Sequence, residues 1–165
     1  MIKMSFFHNL ASKIQEMEET TRAVVLHLQK CGEDKAVVWL YTENRGAMSF
    51  MARMPKQRRA GTYATLLRTL NILDISYDYR PKSKFQKFGE VRVSEPFKTL
   101  PYDPMKATLA LFLGEVLYYV LRNEVRNEPL FQYLCYGLAW LDNCQRAVAN
   151  FHLVFLMRLT RFLGF

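Results

Sequence analysis

A change of hydrophobic period divides this chain in two. From Thr21 to Glu95 apolar residues alternate with polar ones, and beyond Pro104 they recur every three or four positions. The first period belongs to half-buried strands and the second to amphipathic helices. The segment from Pro96 to Pro104, with three prolines, carries the change. The expected class is therefore α+β, with a β-rich unit over residues 20–98 and a helical unit over 99–165 behind an N-terminal extension of 1–19.

Five strands are expected. Val24, Leu26 and Leu28 alternate with Val25, His27 and Gln29; the turn Cys31-Gly32-Glu33-Asp34 leads into Ala36 to Thr42, which is β-branched and aromatic. Asn44-Arg45-Gly46 is a second turn, followed by a strand from Ala47 to Arg53. Pro55 to Gly61 breaks the pattern, and Tyr63 to Leu67 is long enough for one helical turn. Leu70 to Tyr79 alternates again, and its partner is Phe85 to Val93. Five short antiparallel strands with an irregular connection between the third and fourth fit an OB-type barrel; a five-stranded SH3-like barrel is the nearest competitor.

Three helices are expected next. Asp103 is placed to cap a helix whose first residue is Pro104, where a missing N–H costs nothing. Met105, Leu109, Phe112, Leu113, Val116, Leu117, Val120 and Leu121 form its apolar stripe. Pro129 opens a second helix with Leu130, Phe131, Leu134, Leu138 and Leu141 inward. A third is expected from about Asn143 to Leu163, ending at Gly164. Its middle, Phe151 to Leu159, is apolar nearly all round except for His152 and Arg158, so it needs cover on several sides. A missing downstream segment or self-association would supply that cover. Upstream, Leu10 to Glu19 reads as a loosely attached helix, and Met17 is an alternative start.

The 165 residues carry a net charge of +8, and its location is informative. Residues 20–100 hold fifteen Lys and Arg against seven Asp and Glu; the flanking segments are close to balanced. A basic excess confined to one unit reads as a footprint for a polyanion. The three cysteines, Cys31, Cys135 and Cys144, are widely spaced without a CxxC pair, which argues against a disulfide framework and a zinc ribbon and fits a reducing cytoplasm. The longest charge-free stretches, Pro129 to Leu141 and Ala147 to Met157, are too short to cross a bilayer. No membrane, metal or cofactor is expected.

No nucleophile-base pattern or nucleotide-binding loop stands out, so no enzyme is expected. His27 and His152 read as packed or half-exposed side chains. Two basic clusters fall in connections: Arg53, Lys56, Arg58 and Arg59 between the third and fourth strands, and Arg80, Lys82 and Lys84 with Lys87 between the fourth and fifth. Such loops offer mobile cations to phosphates from a rigid floor. Trp39, Tyr41, Phe50, Tyr63 and Phe85 are the aromatic candidates for base stacking. Alternation sends about half of them into the barrel, and Tyr63 and Phe85, beside the basic loops, are preferred.

Several stretches in succession resemble the RecO family of DNA-repair mediators: Thr20 to Lys30 (Thr-Thr-Arg-Ala-Val-Val-Leu-His-Leu-Gln-Lys), Tyr41-Thr42-Glu43-Asn44-Arg45-Gly46, Glu95-Pro96-Phe97, Pro129-Leu130-Phe131, Ala149-Asn150-Phe151-His152-Leu153, and Arg161-Phe162-Leu163-Gly164-Phe165. The resemblance implies an OB domain followed by helices, binding to single-stranded and double-stranded DNA, annealing of strands, and cooperation with RecR and single-stranded-DNA-binding protein in loading recombinase. The chain differs from the family pattern in Met54, where glycine is usual, and in Arg68-Thr69, where Gln-Pro is usual. The further helices and the four-cysteine zinc site of many members have no counterpart, so the helical part is expected to be shortened.

Overall fold

The computed structural model describes residues 18–54, 64–146 and 148–164. Five strands, β1 (Glu18–Lys30), β2 (Lys35–Thr42), β3 (Gly46–Arg53), β4 (Ile72–Asp78) and β5 (Gln86–Val93), close into a barrel in the order β1-β2-β3-β5-β4. All pairings are antiparallel except a short parallel contact of β3 with β5. This is the OB-type closed barrel expected from the alternation. Three helices follow, α1 (Pro104–Leu121), α2 (Glu128–Asn143) and α3 (Phe151–Leu159), with a 3-10 turn at Thr160–Phe162.

The strand limits shift slightly from expectation. β1 begins at Glu18, so the polar segment before Thr21 is partly strand and not helix there. β4 begins at Ile72 and not at Leu70, because Leu70 has φ +68° and so cannot extend. A left-handed leucine costs on the order of 1 kcal/mol; complete burial of its side chain offsets this. Of the helical turn expected at Tyr63 to Leu67, Ala64 to Leu66 are helical and Tyr63 lies outside the described residues.

β1 does not keep one polar face. Ala23 and Val25 enter the barrel interior with Val38, Leu40, Phe50, Leu73, Ile75 and Tyr77. Val24 and Leu26 point outward into a second core with Leu113, Leu117 and Leu121 of α1 and Phe131 of α2. The helices cover the outside of the barrel, so a strand read as half-exposed is buried on both sides. A bulge between Val25 and His27 then reverses the alternation, which sends Leu28 inward and His27 outward.

Capping of α1 is as the sequence implies, with Asp103 Oδ1 accepting from Lys106 N–H at 3.0 Å. Its buried face differs. Lys106, Ala110, Leu113, Gly114, Leu117 and Leu121 are inward, while Met105, Phe112 and Val120 are exposed. The helix is apolar on most of its circumference, so periodicity alone does not fix its rotation. Close packing does: a Cβ on Gly114 would stand 2.3 Å from Thr69 Cγ2. By length and composition α1 could cross a membrane, which a count of charge-free runs misses because Lys106 and Glu115 interrupt it. Here it packs on the barrel.

Asn127 Oδ1 caps α2 from Leu130 N–H at 3.1 Å, and the five expected inward residues of α2 are all buried. The third helix starts at Phe151 rather than Asn143, since Cys144 ends α2 in an extended conformation (φ −68°, ψ 132°). At the barrel-helix junction Gly46, with φ +78°, bridges to Val125, and Tyr41 Oη donates to Val125 O at 2.9 Å.

Candidate nucleic-acid interface

Strand register gathers cations on the outside of β2, β3 and β5. Residues whose side chains enter the barrel from β3 are Met48, Phe50 and Ala52, so Ser49, Met51 and Arg53 face out. Lys35 of β2 stands directly opposite Arg53, and Met51 is the neighbour of Lys87 on β5. Lys35, Arg53 and Lys87 are exposed and make no side-chain ion pair or hydrogen bond among the described residues. Like charges directly across a strand pair repel, and an anion between them removes that penalty.

The β4–β5 loop opens beside this face, because β5 starts opposite Phe50. One side chain holds the loop in shape. Gln86, 5% exposed, accepts from Arg80 N–H at 2.8 Å and donates to Arg80 O at 3.0 Å and Ser83 O at 3.2 Å. A turn bond from Ser83 N–H to Arg80 O at 3.0 Å closes it. Lys82 and Lys84 stay exposed, and Lys84 Nζ lies 5.4 Å from the centre of the half-buried Phe85 ring.

Other arginines of the barrel are committed internally. Arg22 makes paired bonds to Glu43 at 2.9 and 3.0 Å. Arg45 binds Glu19 and lies 3.5 Å above the Tyr79 ring. The Arg45 hydrogen bond holds the Glu19 carboxyl below its usual range, and Arg22 does the same for Glu43. Burial pushes the Tyr77 hydroxyl, which donates to Glu19, up to about 12. These groups brace the β2–β3 turn against β1 and β4.

Of the sequence candidates, Arg53 and Lys87 share the outer face, while Arg80, Lys82, Lys84 and Phe85 form the adjoining loop. Lys56, Arg58, Arg59 and Tyr63 lie outside the described residues. Phe50 is in the barrel core, stacked on Phe88 at 4.5 Å. Tyr41 points outward but is fully buried under the helices. Trp39 also points outward and is half-buried against Tyr118. Sequence reasoning missed Lys35 and Gln86. Lys35 is flagged only by its cross-strand position, and Gln86 only by its burial in a strand start.

Among the described residues no group of three or more His, Cys, Asp or Glu side chains is arranged to hold a metal ion. The three cysteines, all free, sit on the β1–β2 turn, within α2 and just after it. Burial raises the Cys135 thiol to about 11, which disfavours the thiolate that zinc requires. A four-cysteine zinc site does not fit them. On the helical side a groove of about 400 Å³ is lined by Tyr133, Tyr136, Trp140, Phe151, Val154 and Phe155. Next to it Leu153 and Met157 of α3 are exposed, Met157 to 74%.

The family model described as recombination protein O N terminal matches residues 17–97, and that described as recombination protein O C terminal matches 101–165. A protein of Phocaeicola vulgatus described as DNA repair protein RecO is 43% identical over 148 residues, covering 90% of this chain and 61% of the relative. One of Bacteroides fragilis with the same description has the same identity and coverage. One of Flavobacterium johnsoniae is 34% identical over 150 residues, covering 90% of this chain and 63% of its own length. The chain thus spans about three fifths of the length of these relatives.

Proposed function

Because the chain belongs to the RecO family, we propose that it is a cytoplasmic DNA-repair and recombination protein. It binds single-stranded DNA, and double-stranded DNA as well, without reading sequence. It brings complementary strands together and assists recombinase loading with RecR and single-stranded-DNA-binding protein as partners. The observation that carries this reading is the set of cations without side-chain partners among the described residues, Lys35, Arg53 and Lys87, beside the clamped loop of Lys82 and Lys84. Each phosphate they neutralise releases counterions, and two strands held on such a surface repel each other less. No bond is made or broken, so no catalytic residue is required.

The test is a fluorescence anisotropy titration of an unstructured oligonucleotide. With about five phosphate contacts on a single strand, affinity is expected to fall about a hundredfold between 50 and 200 mM salt. Joint neutralisation of Arg53, Lys82, Lys84 and Lys87 is expected to abolish most binding. Binding that ignores salt sinks the proposal. Annealing of complementary strands, with and without single-stranded-DNA-binding protein, then tests the mediator role.

A second reading is favoured by the exposed apolar face of α3. Leu153, Val154 and Met157 together suit an interaction module that dimerises through α3, with DNA binding lost. Light scattering separates the two: a monomer that binds DNA leaves this reading without a basis.

A further inference from the structure

Three aromatic rings meet at the barrel-helix junction. His27 of β1 stacks on Tyr118 of α1 with ring centres 4.6 Å apart, and Trp39 of β2 meets Tyr118 edge-on at 5.4 Å. Tyr119 adjoins Tyr118 at 5.3 Å and is 60% exposed. Arg122, at the end of the helix, places its guanidinium 5.9 Å from the Tyr118 ring and 5.5 Å from the Tyr119 ring. Its side chain makes no ion pair among the described residues.

A half-open aromatic floor with an exposed ring and a cation at its rim suits a stacked base with its phosphate. The floor and the cationic face lie on the same side of β2. Trp39 and Lys35 point out from the same side of β2, four residues or about 13 Å apart. Across from them stand Ser49 and Arg53. Single-stranded nucleic acid fits this combination, since its bases are free to stack, whereas a duplex keeps its bases paired and turned inward.

We infer that Trp39, Tyr118, Tyr119 and Arg122 form a base-stacking seat for single-stranded nucleic acid at the barrel-helix junction, extending the phosphate track of Lys35, Arg53 and Lys87 onto α1. This rests on the DNA-binding reading above and adds where the strand runs. The seat selects single strands over duplex because only an unpaired base can enter it.

Trp39 supplies the readout. In the W140F variant it is the only tryptophan, and the exposed ring it replaces keeps its stack on Phe151 as phenylalanine. Oligothymidine binding is followed at once by anisotropy of a labelled strand and by Trp39 emission. Quenching of Trp39 at saturation is expected, with about a tenfold or greater loss of affinity for the single strand in Y119A/R122A and little change for duplex. Unchanged Trp39 emission in a complex that anisotropy shows to form, with Y119A/R122A binding as tightly as the parent, overturns the seat and leaves the DNA-binding reading intact. No anisotropy change at low salt overturns both. Both Tyr119 and Arg122 are exposed, so their replacement does not threaten folding.

Discussion

Lys106, only 4% exposed, directs its ammonium at the main-chain carbonyl of Asp142, 2.7 Å away, and at Thr99 Oγ1, also 2.7 Å away. The carboxylate of Asp142 in turn accepts the main-chain N–H groups of Lys98, Thr99 and Leu100 at 2.7 to 2.9 Å. The segment that leaves the barrel is thereby tied to the start of α1 and the end of α2.

Replacing Lys106 with methionine keeps the volume and removes two charge-assisted hydrogen bonds, leaving Thr99 Oγ1 and the Asp142 carbonyl bonded to each other, so K106M is expected to cost about 1 to 3 kcal/mol. Urea denaturation monitored by circular dichroism measures it.

Burial works against ionisation of Asp142, yet the N–H groups of Lys98, Leu100 and Thr99 hold its carboxyl below the usual value. A carboxyl depressed by folding contributes fully above its unfolded value and loses that contribution as pH falls through the folded one. Stability should therefore decline on the acid side of about pH 4. D142N should be less stable at neutral pH and show a shallower acid decline. Parallel pH series of urea midpoints decide this.

Lys35 opposite Arg53 predicts opposite effects on folding and binding. K35A removes a like-charge pair and should raise stability by about 0.2 to 1 kcal/mol. It should also weaken single-strand binding and reduce the slope of log affinity against log salt by about 0.7. Thermal melts and salt titrations of the same preparation test both signs.

Q86A removes the amide that the Arg80 N–H and the Arg80 and Ser83 carbonyls bond, leaving the Ser83 N–H to Arg80 O bond to close the β4–β5 loop. A loss of about 2 kcal/mol is expected, with faster hydrogen exchange at the Arg80 amide. Unchanged exchange there would show that the loop holds its shape without Gln86.

Gly46 combines φ +78° with an approach in which a Cβ would lie 2.5 Å from Val125 C and 2.6 Å from Arg126 N. Both are backbone atoms, which do not yield as the end of a flexible side chain would. G46A should destabilise by at least about 3 kcal/mol, read as a drop in melting temperature.

The strands and caps were legible because each is announced locally. Gly46 marks its turn, Asp103 with Pro104 marks a helix start, β-branched and aromatic residues mark β2, and alternation marks β4. What could not be read depends on partners distant in sequence. Val24 and Leu26 read as the barrel-facing side of β1, yet they face outward under α1 while Val25 turns in, and α1, apolar on most of its circumference, gives no sign of which face it will turn. The third helix reads as longer than it is because nothing between Asn143 and Asn150 is a glycine or proline. In the candidate interface, the loop cations stood out as runs of letters, whereas Lys35 joins them only through the pairing of β2 with β3.

The two-sided burial of β1 makes the barrel dependent on its helices. A fragment stopped after Val93 would lay Val24, Leu26, Tyr41, Leu70 and Ile72 open to water in one contiguous oily strip. Such a fragment would clump before it could grip a strand, so the smallest unit worth expressing includes α1 and α2.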